Sequence, residues 1–191
     1  MRDKEGWRER LISQSNGALS FGLGPRLPQP ALDDRLDDTA DGDLIEDCPP
    51  LTGYMRPISH RIATFGGAAL IIDYGDWRSL GDTLQALQDH KPTNPLIAPG
   101  HCDLTAHVDF EKLALAAAPA KHSRVTPQGV FLERLGITQR AQALAKAMSG
   151  TALETHIAAH RRLTYPSEMG NLFKVMGLYP PTQPPLPGLE P

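Results

Sequence analysis

Asp73-Tyr74-Gly75-Asp76 places two carboxylates and a phenol directly after the apolar run Ala68-Ala69-Leu70-Ile71-Ile72. An unbroken run of that kind predicts an interior strand of a parallel sheet, buried on both faces. Ligands of open α/β sheets sit beyond the carboxyl ends of such strands, so the tetrad is expected to face a crevice. Carboxylates there can orient a cationic group. The competing reading is a plain turn, in which Gly75 supplies a positive φ and the aspartates cap the next element.

A second polar stretch, Ala98-Pro99-Gly100-His101-Cys102-Asp103-Leu104-Thr105-Ala106-His107-Val108-Asp109, leads into an apolar helical pattern and offers another wall for the same crevice. His101, Cys102, His107 and Asp109 are metal-ligand types, but their spacing matches no established zinc or iron signature, and no metal is predicted. Gly22-Leu23-Gly24 does not make a phosphate loop. Pro25 follows it, a third glycine is missing at the needed offset, and no helix starts there to aim amides at an anion.

The 191 residues are 40% hydrophobic, enough for one domain with a substantial core. A net charge of -3 with mixed signs excludes a surface built to hold nucleic acid or anionic lipid. Cys48 and Cys102 are too few and too far apart for a disulfide framework, which fits a reducing compartment. No secretory leader opens the chain and no apolar run is long enough to span a bilayer, so the reading is a soluble protein.

The elements that must position the tetrad are set by periodicity. Ser15-Asn16-Gly17 between Trp7–Ile12 and Ala18–Leu23 predicts a hairpin, and Pro25, Pro28 and Pro30 are expected to interrupt regular structure. The acidic stretch from Asp33 to Asp43 reads as solvated surface with a short helix. Tyr54, Met55, Ile58, Ile62 and Phe65 mark one face of a helix holding Pro57 and closed by Gly66-Gly67. Asp109 is the expected cap of a helix with Phe110, Leu113, Ala114 and Ala117 inward. Thr126-Pro127 should open another helix that Gly136 closes, and a third starts near Thr138. Thr151 and Glu154 form a capping box for a fourth, Leu172 to Leu178 a last strand. The boundaries predicted are a hairpin insertion at 1–24, an irregular part at 25–48, an α/β core with helices at 49–179, and an extended or disordered proline-rich tail at 180–191.

Ala-Leu-Ile-Ile-Asp-Tyr-Gly at 69–75, Gly81-Asp82-Thr83-Leu84, Asp89-His90-Lys91 and Asp103-Leu104-Thr105-Ala106-His107-Val108-Asp109-Phe110 together resemble the MidA family. The likeness continues through Gln128, Phe131-Leu132, Gly136-Ile137, Met169-Gly170 and Phe173. His101, Cys102 and His107 depart from its pattern. The resemblance implies an α/β fold, the carboxyl-terminal part of a doubly wound, Rossmann-like seven-stranded methyltransferase with added helices. It implies S-adenosylmethionine as cofactor and arginine dimethylation of a complex I subunit by mitochondrial members, with a cytoplasmic place for bacterial ones. It also implies that the family's glycine-rich loop and ribose-binding acid lie upstream of the point matching Met1. The amino-terminal half is therefore expected to be missing.

Methyl transfer from a sulfonium is an in-line displacement, so positioning outweighs any nucleophilic side chain. A guanidinium acceptor needs carboxylates, preferably bidentate. Asp73, Asp103 and Asp109 are the candidates, with Tyr74 shaping the pocket. Two functions stand: a partial methyltransferase acting on protein arginine and inactive alone, or a non-catalytic remnant that binds the family's protein partner.

Overall fold

A computed structural model describes residues 1–4 and 6–190. In chain order the strands are β1 (Arg2–Asp3), β2 (Gly6–Ser15), β3 (Ala18–Leu27), β4 (Ala69–Asp76), β5 (Gln85–Gln88), β6 (Lys91–Thr93), β7 (Asp103–Thr105), β8 (Val108–Asp109), β9 (Lys121–His122), β10 (Thr126–Pro127) and β11 (Phe173–Tyr179). The helices are α1 (Leu51–Phe65), α2 (Phe110–Ala116), α3 (Gln128–Arg134), α4 (Ile137–Ala145) and α5 (Gly150–Thr164). Two compact units result: Met1–Asp47 with Ser79–His107, and Cys48–Arg78 with the chain from Val108 onward.

In the first unit β2 and β3 pair antiparallel across Asn16-Gly17, both at positive φ (51° and 80°), the conformation that matches strand twist. β3 runs through Pro25, where the sequence predicts a break. The register shifts there, from Arg8↔Arg26 to Arg10↔Leu23, and the bulge spares the proline any ladder donor. A second sheet of order β6-β5-β7 turns tightly at Asp89-His90, again both at positive φ. The acidic stretch is more than solvated surface. Arg35 is 2% exposed; its Nε donates to Asp38 (2.9 Å) and its Nη2 to the Ser79 carbonyl (3.0 Å). Arg10 grips Asp82 with both terminal guanidinium nitrogens (2.5 and 3.0 Å), and Thr83 bonds Glu46 and receives the His107 amide.

The second unit centres on a sheet of order β10-β11-β4-β8, with β9 also on β11. β4 is not the interior parallel strand expected. Its long partner, from Ala69↔Leu178 to Phe173↔Tyr74, is the antiparallel β11, and parallel pairing with β8 is confined to Gly75↔Val108 and Asp76↔Asp109. Nor is β4 buried on both faces. Ala69 and Ile71 join the cluster of Met55, Ile62, Phe110, Leu113, Met176 and Leu178, whereas Leu70 and Ile72 are 48% and 45% exposed. Among the described residues no strand pairs with the other edge of β4 from Ala69 to Tyr74.

α1 spans the expected residues and ends at Gly66, whose amide bonds the Ile62 carbonyl at φ 78°. Its predicted apolar face splits. Met55, Ser59 and Ile62 are buried, while Tyr54, Ile58 and Phe65 form a second, exposed stripe roughly 90° around the helix at 3.6 residues per turn. Further on, Pro127 rather than Thr126 is the cap residue of α3, and both residues pair with β11 as β10. The capping box at Thr151 is not formed. Ser149 stands at the cap without a side-chain bond, and Thr151 and Glu154 lie inside α5. The tail is irregular: Leu186 packs on the cluster of Phe131, Val175 and Leu189, and Arg134 donates to the carbonyls of Gly188 and Glu190 (3.3 and 3.2 Å). Pro191 lies outside the described residues.

The buried Ser59 hydroxyl donates to the Ala117 carbonyl and accepts the Ala120 amide (3.1 Å), joining α1 to the turn after α2. Ser59→Ala leaves both backbone groups buried and unsatisfied, and the urea midpoint should show a loss of about 1–3 kcal/mol; an unchanged midpoint would contradict this account. In the first unit the hydrogen bonds from Arg10 hold the Asp82 carboxyl below its usual range, opposed by slight burial. A depressed folded pKa stabilises above the unfolded value, about 3.9, and that share is lost as pH falls through the folded one. The pair is solvent-facing, so Asp82→Asn should cost at most about 1 kcal/mol at neutral pH, and the difference should close in acid.

Candidate functional site

Of the sequence candidates, Asp73, Tyr74 and Asp109 share the second unit and Asp103 does not: it lies exposed on β7 of the first. The β4–β11 register sets Asp73 opposite Lys174 and Tyr74 opposite Phe173. Residues directly opposite share a face of the sheet. Asp73 therefore continues the row of Ala69 and Ile71, on the side covered by α1 and α2, and Tyr74 the other row. The Tyr74 ring lies 4.4 Å from that of Phe173. One Asp73 oxygen accepts the Tyr74 amide (2.8 Å). Among the described residues no ion pair engages Asp73; the Lys174 ammonium turns instead to the Asn171 carbonyl (2.6 Å).

Gly75 is required by contact rather than by a turn. A Cβ at that position would stand 2.2 Å from the Val108 carbonyl oxygen, so the parallel pairing at the end of β4 depends on its absence. Asp76 then pairs in register with Asp109 and accepts the Trp77 amide (2.8 Å). Asp109 caps α2 as expected, its carboxylate accepting the Lys112 amide (2.9 Å). Beyond it, Glu111 clamps the outlet. It accepts from Trp77 Nε1 (3.1 Å) and pairs with Arg78 (2.7 Å), and its amide bonds the Trp77 carbonyl (2.7 Å). Lys174 and this clamp were not found from the sequence; cross-strand neighbours need a register, and the only signal for it was the apolar run of β11.

His101, Cys102 and His107 lie in the first unit, where Cys102 Sγ approaches the Ala98 carbonyl (3.8 Å). Among the described residues no three ligand-type side chains gather as a metal would need. The S-adenosylmethionine cradle does not fit these residues either. It calls for a glycine-rich turn between a strand and a helix amino terminus, with an acid at the next strand end. Among the described residues the one parallel strand that runs into a helix is β8, and there the Lys112 amide is taken by Asp109 and the Glu111 amide by the Trp77 carbonyl, where a cofactor's carboxylate would need them.

The model of the S-adenosyl-L-methionine-dependent methyltransferase family matches residues 1–128. Among curated relatives, the mitochondrial protein arginine methyltransferase NDUFAF7 of Xenopus tropicalis is 32% identical across 99% of this chain and 46% of its own length. The Homo sapiens protein of the same name is 35% identical across 92% of this chain and 41% of its own. A solved structure from Burkholderia thailandensis superposes with a TM-score of 0.81 at 28% identity, covering 98% of this chain and 52% of that one. A second, bound to S-adenosyl-homocysteine, gives 0.79 at 27% identity, covering 98% and 51%. The chain thus spans about half the length of the proteins it matches. With 128 of its 191 residues inside the family model, this chain belongs to the S-adenosyl-L-methionine-dependent methyltransferases.

Proposed function

We propose that this chain forms the acceptor-binding part of a methyltransferase whose substrate is an arginine of a protein. The observation that carries this reading is Asp73, a carboxylate in the carboxyl-terminal half of β4 with no cation paired to it among the described residues. Such a group can take a guanidinium by charge-assisted hydrogen bonds; Tyr74, the expected wall of the same pocket, lies with Phe173 on the other face of the sheet. The names of the relatives support an arginine acceptor. By the family resemblance the acceptor protein is a complex I subunit and the working place of a bacterial member is the cytoplasm.

Cofactor binding is assigned to structure this chain does not supply. In support, the open edge of β4, the exposed Leu70 and Ile72 beside it, and the second apolar stripe on α1 are surfaces that a further α/β layer would cover. Asp103 and Asp109 are kept as secondary candidates, the latter mainly as the α2 cap. A second reading, a non-catalytic module that binds the family's protein partner, is favoured by the misfit between these residues and the cofactor cradle.

Calorimetry separates the readings. The chain alone should give no S-adenosylmethionine binding and no methyl transfer, and joined to a family-type amino-terminal segment it should give both. Micromolar binding by the chain alone would mean that the cofactor site is misplaced; no activity in the joined protein would favour the binding module. In the active form Asp73→Asn should lower turnover on the order of tenfold or more with cofactor affinity unchanged, because a charged hydrogen bond to the acceptor is lost. Asp109→Ser, which preserves the cap, should leave turnover close to the parent's.

A further inference from the structure

An open cleft of about 500 Å3 lies beside the end of β4, lined by Asp76, Trp77, His122, Arg124, Val125 and Lys174. All of these belong to the second unit. Arg124, Lys174 and the His122 imidazole line it together with one carboxylate, Asp76. Among the described residues no hydrogen bond or ion pair engages the Arg124 guanidinium, and Lys174 bonds only a carbonyl, so neither charge is neutralised within the unit. The floor is apolar and aromatic. Trp77 is 41% exposed, and its indole N–H is held by Glu111, which fixes the ring in place.

Lys174 connects this cleft to the candidate acceptor site, since it is the cross-strand neighbour of Asp73. A chain whose arginine reaches Asp73 would pass Lys174 and then Arg124. We propose that the cleft binds an acidic stretch of the methyl-accepting protein beside its target arginine. The inference rests on the acceptor reading above and adds what flanks the target. A nucleic acid is the less fitting occupant, because two cations beside an apolar surface offer few of the phosphate contacts that hold a nucleic-acid backbone. Carboxylates interspersed with apolar side chains match both the cations and the Trp77 and Val125 surface.

Fluorescence anisotropy on the full chain tests this with a short labelled peptide of Asp, Glu and Leu around one Arg, its copy with Gln for every acid, and a labelled oligouridylate. The acidic peptide should bind about tenfold more tightly than its Gln copy, and binding should weaken with added salt. The double variant Arg124→Glu, Lys174→Glu should lose about tenfold with an unchanged melting temperature; if it is unstable, Arg124→Gln with Lys174→Gln should still lose severalfold. Equal binding of the two peptides, no loss in a folded variant, or equally tight binding of the oligouridylate would overturn the proposal. Replacing the peptide's arginine by Gln separates the two readings. Residual binding that still depends on Arg124 supports the cleft even if the Asp73 assignment fails, and complete loss of binding overturns it.

Discussion

The pairing of β4 with β11 is the interaction on which the rest of the second unit depends. β11 is buried almost throughout, with Val175, Met176 and Leu178 wholly enclosed, and it accepts β10, β9 and β4 as neighbours. Because side chains alternate across a strand, a slip of one residue would exchange the rows Ala69-Ile71-Asp73 and Leu70-Ile72-Tyr74 between faces. Asp73 would leave Lys174, and Tyr74 would leave Phe173. The core cluster under α1 and α2 penalises that slip, since it would receive Leu70 and Ile72 where it now holds Ala69 and Ile71. The position of the candidate carboxylate is thus set by hydrophobic fit several residues away.

At the far end of the same strand the control is steric. Gly75 lets the Val108 backbone approach, and this contact starts α2 where Asp109 can cap it. Glu111, in the first turn of that helix, then holds Trp77 and Arg78. Three short-range effects in sequence, a missing Cβ, a cap and an ion pair, therefore shape the outlet of β4. Beside it, among the described residues, no cation pairs with Asp73 and no carboxylate with Arg124.

Much of this is legible in the sequence because its causes are local. The Asn16-Gly17 hairpin, the span of α1, its closure at Gly66, the Asp109 cap and the final strand all come from turn chemistry, period and capping. The features that escape the sequence depend on partners distant along the chain. An unbroken apolar run suits a strand enclosed by parallel neighbours, yet β4 meets an antiparallel one and leaves Leu70 and Ile72 half open. Thr151 and Glu154 have the spacing of a capping box, but the helix starts before them at Gly150, so the residues are present and the geometry is not. Pro25 reads as a terminator until the bulge opposite Glu9 removes the need for its amide. Lys174 could be placed beside Asp73 only once the register was known. The family resemblance, in contrast, rested on ordered local motifs, and the family match bears it out.

The central claim is that the carboxyl-terminal half of β4 receives a guanidinium through Asp73. A titration of 15N-labelled chain with methylguanidinium, followed by two-dimensional NMR, tests it most directly. The Tyr74 amide hydrogen-bonds the Asp73 carboxylate and reports on anything that binds there. The account predicts a saturable shift of the Tyr74 and Asp73 amides that is abolished by Asp73→Asn, with α4 and α5 undisturbed. Shifts centred elsewhere, or a Tyr74 response that survives in Asp73→Asn, would contradict it.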